Sequence, residues 1–200
     1  MAHQPGTKRG RPGYDQHSML VVAVEAFNEF GYDATSIGTL AARLGTSKAA
    51  IYHHFSSKEE LLELALDEAL TALEGVLGDE QADEGTASDR LALVVRGAVH
   101  VLVNKLPYVT LLLRVRGNSD VERNALERRK NFDRAVTQLL SEARAEGSIR
   151  SDLDPSVAER LLFGMINSIV EWYKPKSPED AARLADDVIA VAFDGLRVPR

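Results

Sequence analysis

The apolar positions of this chain recur at helical spacing almost throughout. Leu20, Val24, Phe27 and Phe30 fall three or four residues apart, the interval that places side chains on one face of an α-helix. Asp15 is positioned to cap that helix and Gly31 to stop it. Thr35 or Ser36 then opens a short helix ending at Leu44, before Gly45, and Ser47 opens another ending near His54. Ser57 with Glu60 makes a capping-box pattern ahead of a longer helix, Lys58 to about Leu77. The polar stretch 78–85 reads as a loop. Thr86 with Asp89 then opens a helix to about Lys105, and Pro107 suits the first turn of a short one ending near Arg116 and Gly117. Ser119 with Glu122 opens a long helix reaching Glu146, stopped by Gly147. Asp154-Pro155 and Ser177-Pro178 are cap-plus-first-turn pairs opening two more, which end near Lys174 and Asp194. The expected fold is all-α, with about nine helices and no strand.

The segment 37–55 has the makings of a helix-turn-helix, two short helices packed steeply around a tight turn. Ile37, Leu40, Ala41 and Leu44 share an inward face. Ala41 is small enough for close helix approach, and Gly45 permits a left-handed turn. Ile51 and Phe55 close the core from the second helix, which leaves Thr46, Lys48, Ala49 and His53 pointing outward. Lys48 has the reach for guanine O6 and N7, and Ala49 has a methyl that suits thymine.

The run Gly31–Ile37, then Ala41–Gly45, then Ser47–Leu61 with Ile51-Tyr52-His53-His54-Phe55 inside it, resembles the TetR family of bacterial regulators. Thr46 departs from the pattern, since an apolar residue is more usual there. The resemblance implies a basic arm (1–13), a three-helix DNA-binding domain (14–57), a connecting helix (58–77) and a helical ligand-binding and dimerisation domain (78–200). It assigns phosphate contacts to Tyr52 and Lys58, the latter at a helix N-terminus that favours an anion. Thr35 or Ser36 presents a hydroxyl to phosphate, and Thr46, Lys48, Ala49 and His53 meet base edges. The implied function is a ligand-responsive regulator, a repressor released from a palindromic operator by a small effector. An activator of the same fold remains an alternative reading.

Net charge is −6 for the whole chain, which by itself argues against a nucleic-acid partner. Residues 1–58, however, carry 6 Lys/Arg against 4 Asp/Glu, whereas 59–200 carry 18 against 26. A locally positive end on an acidic body suits a protein that presents one end to double-stranded DNA. Within that end, Arg9-Gly10-Arg11-Pro12 resembles the core of an AT-hook, whose extended backbone lays Arg9 and Arg11 in a narrow minor groove.

In the second domain, Leu161, Leu162, Met165, Ile166, Ile169 and Val170 cover more than one buried stripe. That excess calls for a second packing partner, which the resemblance identifies as a second copy, giving a homodimer. His100, Asn104, Tyr108, Phe132, Asn167 and Trp172 are the polar and aromatic candidates for an effector cavity. Glu127–Lys130, Gly147–Pro155 and Glu171–Pro175 resemble the family's acyl-CoA-sensing members. Arg114, Arg116, Arg123, Arg128, Arg129 and Arg134 are candidate partners for the coenzyme's phosphates.

No enzyme motif is present: there is no Gly-rich phosphate loop, no His-Glu-x-x-His and no serine-nucleophile pattern. His53 and His54 are neighbours that point apart on a helix, and the chain has no cysteine. No metal and no cofactor are therefore expected, and a DNA-free helical scaffold is the remaining rival. With no run approaching ~18 apolar residues and no leader-like start, no membrane partner is expected. The cytoplasm is the expected location.

Overall fold

The computed structural model describes residues 15–78, 85–174 and 179–196. Within these are nine α-helices and no strand. The chain divides into two compact units between Leu61 and Leu62.

The first unit holds α1 (Gln16–Phe30), α2 (Ile37–Leu44), α3 (Lys48–His54) and the opening turn of α4 (Lys58–Leu77). Each short helix starts where a side-chain oxygen accepts an otherwise unpaired backbone N–H. Asp15 accepts from Ser18 at 2.7 Å, Ser36 from Thr39 at 3.0 Å and Ser47 from Ala50 at 3.1 Å. Gly45 ends α2 at φ 63° and ψ 34°, the left-handed conformation that lets the chain turn at once into α3. Val24, Phe27, Leu40, Ile51 and Phe55 form the sealed centre. Burying a side chain of this size contributes about 1.5–3 kcal/mol. Phe30 departs from the expected inward stripe: it is 51% exposed, with the Arg43 guanidinium 6.0 Å from its ring centre.

The second unit holds the rest of α4 with α5 (Ala87–Asn104), α6 (Leu106–Arg114), α7 (Asp120–Ala145), α8 (Pro155–Trp172) and α9 (Glu179–Leu196). Thr86 and Asp89 make the full reciprocal capping box at the start of α5. The chain then bends 100° between α5 and α6, and α5 packs against α6, α7, α8 and α9. Val76 of α4 packs directly against Gly97 of α5, since a Cβ there would lie 2.5 Å from Val76 Cγ1. Ser177 and Pro178, expected to open α9, lie outside the described residues.

Two charged ties hold the flanks of α4. Arg128 of α7 donates to both carboxylate oxygens of Glu74, at 2.8 and 2.7 Å, and also to Asp67. Lys105, at the α5–α6 bend, donates to Glu68 at 2.7 Å. Glu122 fixes the loop that precedes its own helix. Ser119 does cap α7 by accepting the Glu122 N–H, but the Glu122 carboxylate turns away. Its Oε2 accepts the backbone N–H groups of Arg116 (2.9 Å), Gly117 (2.7 Å) and Asn118 (2.9 Å), fixing the α6–α7 loop.

Among the described residues no single helix is long and apolar enough to cross a membrane; α5 and α6 meet that test only together, across their sharp bend. Helix α8 is apolar on two sides. Leu162, Ile166 and Ile169 are buried, whereas Leu161 is 69% exposed, as is Val191 of α9 at 67%. With Leu153, Val157 and Met165 they line an open apolar groove.

Candidate functional site

Helices α2 and α3 place the expected DNA-reading residues on one outward surface. Lys48 and Ala49, in the first turn of α3, are exposed, as are Tyr52 and His53 one turn on; Thr46 in the turn is half-buried. Small or flexible residues stand exposed at the start of α3, while Ile51 on the opposite side is sealed in the core. Gly38 contributes to this surface, because the Lys48 side chain crosses the place a Cβ would occupy, with its Cε at 3.0 Å. His54 is also exposed and stacks edge-on against His53 with ring centres 5.3 Å apart.

Two expected phosphate contacts need correction or refinement. Thr35 is 1% exposed, and its hydroxyl donates to the carbonyls of Gly31 (2.8 Å) and Ala26 (3.3 Å), so it locks the α1–α2 turn. Its hydroxyl does not reach the surface. Ser36 alone stands exposed as the α2 cap. Lys58 is half-buried: its ammonium donates to the Tyr32 carbonyl at 2.9 Å and lies 4.1 Å from the Tyr32 ring centre. Arg9 and Arg11 lie outside the described residues.

The second unit contains a small apolar cavity of about 40 Å³ that opens to the surface, so a ligand larger than a few atoms has to displace its walls. Ala69 and Leu73 of α4, Val101 and Leu102 of α5, Leu112 of α6, Phe132 of α7 and Ile166 of α8 form its walls. Arg129, Asp133, Phe163 and Asn167 line both this cavity and a polar groove between α7 and α8. The groove continues along Lys130, Arg134 and Arg160. Of the expected effector residues, Phe132 and Asn167 line the cavity. His100 and Asn104 do not. The wall positions of α5 are 98, 101 and 102, and at about 100° per residue positions 100 and 104 point elsewhere. Trp172 is exposed, against Tyr173, and Tyr108 is buried outside the cavity wall with its hydroxyl unpaired.

The comparisons with known proteins follow this division. Residues 19–65 match the family described as bacterial regulatory proteins, tetR family. Residues 84–196, more than half the chain, match the tetracyclin repressor-like C-terminal domain. The chain belongs to the TetR family. A TetR-family regulator from Streptomyces coelicolor A3 has a crystal structure that superposes with a TM-score of 0.87 at 49% identity, covering 96% of this chain and 98% of that one. The fatty acid metabolism regulator protein of Bacillus subtilis (strain 168) is 26% identical over 192 residues, 94% of this chain and 98% of its own length. The structure of AibR in complex with isovaleryl coenzyme A and operator DNA superposes with a TM-score of 0.73 at 25% identity, covering 88% of this chain and 97% of that one.

TetR regulators bind operator DNA and small-molecule effectors and act as dimers; they are not enzymes. This chain is accordingly a ligand-responsive DNA-binding transcriptional regulator. Among the described residues no group of His, Asp or Glu side chains is arranged to hold a metal.

Sequence reasoning singled out too many arginines and too few acids. Arg128 is spent on Glu74 and Asp67 and Arg123 pairs with Asp120, whereas Arg134 lines the groove while pairing with Glu127. Of the six arginines, Arg129 alone lines the cavity mouth. Asp133 and Glu159 were missed. A carboxylate one position after Phe132 and one helical turn after Arg129 was the available signal for Asp133. Nothing local marks Glu159, whose place depends on how α8 meets α7.

Proposed function

We propose that this regulator represses transcription from a palindromic operator and releases it when an acyl thioester occupies the cavity of its second unit. The observation that carries this is the composition of the cavity: apolar walls closed on one side by α4 and opening beside Arg129 onto a groove with Lys130, Arg134 and Arg160. An apolar slot that ends in cations suits an acyl chain joined to a phosphate-bearing coenzyme. The isovaleryl coenzyme A bound by AibR and the fatty-acid role named for the Bacillus relative support that reading.

On this reading Ser36, Tyr52 and Lys58 hold phosphates, while Thr46, Lys48, Ala49 and His53 face base edges. Arg9 and Arg11 reach a flanking minor groove. A two-fold dimer sets its reading helices about 34–36 Å apart, one turn of DNA. Helix α4 begins at Lys58 and forms the cavity wall at Ala69 and Leu73, so a ligand that displaces it changes how the reading helices are held. Moving operator occupancy from 99:1 to 1:99 requires a state preference of ~5.5 kcal/mol. The setting is the cytoplasm.

The test is fluorescence anisotropy on DNA from upstream of the protein's own gene, with and without a panel of acyl-CoAs. Tight binding that acyl-CoA reverses is expected. Lys48→Ala should weaken the specific site by about 1–3 kcal/mol if it reads a guanine. Tyr52→Phe should weaken binding by about 0.5–1.5 kcal/mol through one lost hydrogen bond and leave the salt slope unchanged, because its hydroxyl is neutral. Operator binding that only a drug-like cation relieves would sink the acyl-thioester reading.

A further inference from the structure

We propose that Asp133 and Glu159 form a selectivity neck that passes acyl thioesters and rejects the corresponding free acids. This rests on the acyl-thioester reading above and names the chemistry that decides it. The two carboxyls come from facing helices, α7 and α8, and both line the groove outside the apolar cavity; Asp133 also lines the cavity itself. Glu159 is only 7% exposed and Asp133 is half-buried. Neither carries an ion pair or a side-chain hydrogen bond among the described residues. Neither carboxylate is among the fully buried unpartnered groups, so both keep their oxygens on the groove, where a ligand can meet them.

The charge around the neck is set by four side chains. Arg129 and Asp133 belong to α7, Glu159 and Arg160 to α8. Burial pushes both carboxyls up, the negative Asp133 pushes Glu159 further, and Arg160 and Arg129 oppose this. An acyl chain seated in the cavity brings its head group to this neck. A free acid would place a third carboxylate beside two others, where Arg129 and Arg160 balance in number only the two acids already present. A thioester brings no charge there. The coenzyme arm that follows it offers secondary amide N–H groups, which carboxylate oxygens accept strongly. The phosphates then lie farther out, toward Lys130 and Arg134.

Calorimetry on the purified full-length dimer at pH 7.5 tests this with octanoyl-CoA and octanoate. Wild type should bind octanoyl-CoA, and octanoate at least about tenfold more weakly, the order expected for one added like-charge contact. Glu159→Gln and Asp133→Asn keep the shape while removing the charge, so each should narrow that gap by about tenfold, chiefly through tighter octanoate binding. Two variants are used so that a folding defect in one leaves the other to report, and melting curves identify such a defect. Equal affinity of wild type for both ligands overturns the proposal, as does an unchanged ratio in folded variants. Binding of neither ligand by wild type is a separate result: it removes the acyl-thioester reading, and this inference with it.

Discussion

Glu122 shows how one side chain can organise a connection. Burial alone would raise its carboxyl, but the N–H groups of Asn118, Arg116 and Gly117 outweigh that and hold it below the ordinary glutamate value. A folded-state value that is depressed adds stability above the ordinary value and loses it as pH falls through the folded one. Hydrogen bonds to a charged acceptor contribute about 1.5–3 kcal/mol each at most, so Glu122→Gln should cost about 2 kcal/mol near neutrality. Urea denaturation at several pH values checks this. The gap between wild type and variant should close in acid. Overlapping curves at pH 7 would show that the three bonds are replaceable by water. Thr35 makes a related point, since its hydroxyl holds a turn from inside, beside a Ser36 that caps from outside.

At the scale of elements, the approach of α4 to α5 hinges on Gly97. A methyl group there meets Val76 Cγ1 and Cγ2 at 2.5 and 3.0 Å. Gly97→Ala should therefore destabilise the chain by about 1–3 kcal/mol, the cost of overpacking, despite the gain in helix propensity. Thermal melting checks it, and Val76→Ala added in the same chain should restore part of the loss. A neutral or stabilising Gly97→Ala would mean the two helices slide apart freely. Local signals revealed most of the element boundaries: Asp15, Ser36, Ser47, Thr86, Ser119 and Asp154 all cap where their residue type and spacing said they would. The DNA-facing surface was legible for the same reason, because α2, Gly45 and α3 are contiguous and their faces follow from periodicity. The effector cavity was not. Its walls come from five helices, and which side of each faces inward depends on partners distant in sequence. Arg128 and Arg129 are neighbours, yet one ties α7 to α4 and the other stands at the cavity mouth.

For the whole molecule, we propose that the open apolar groove of α8 and α9 is where two copies pair. Leu161 and Val191 are large, exposed and side by side with Val157 and Met165, as expected of a surface that pairs with its own copy. Leu161→Glu should convert the dimer to monomer, read by sedimentation velocity, and weaken operator binding by at least about tenfold while the helical content of each chain persists. A dimer that survives this change would place the interface elsewhere.

Pairing through that groove would make folding and abundance inseparable. A lone chain leaves this apolar surface in water and pairing would remove it, so the folded population would grow with the amount of protein present. A regulator made in few copies then works near a lower bound set by its own association constant. Below it, chains separate, expose those side chains to proteases and one another, and lose the geometry for two half-sites together. The number of molecules in the cell thus becomes an input to the switch, alongside whatever fills the cavity.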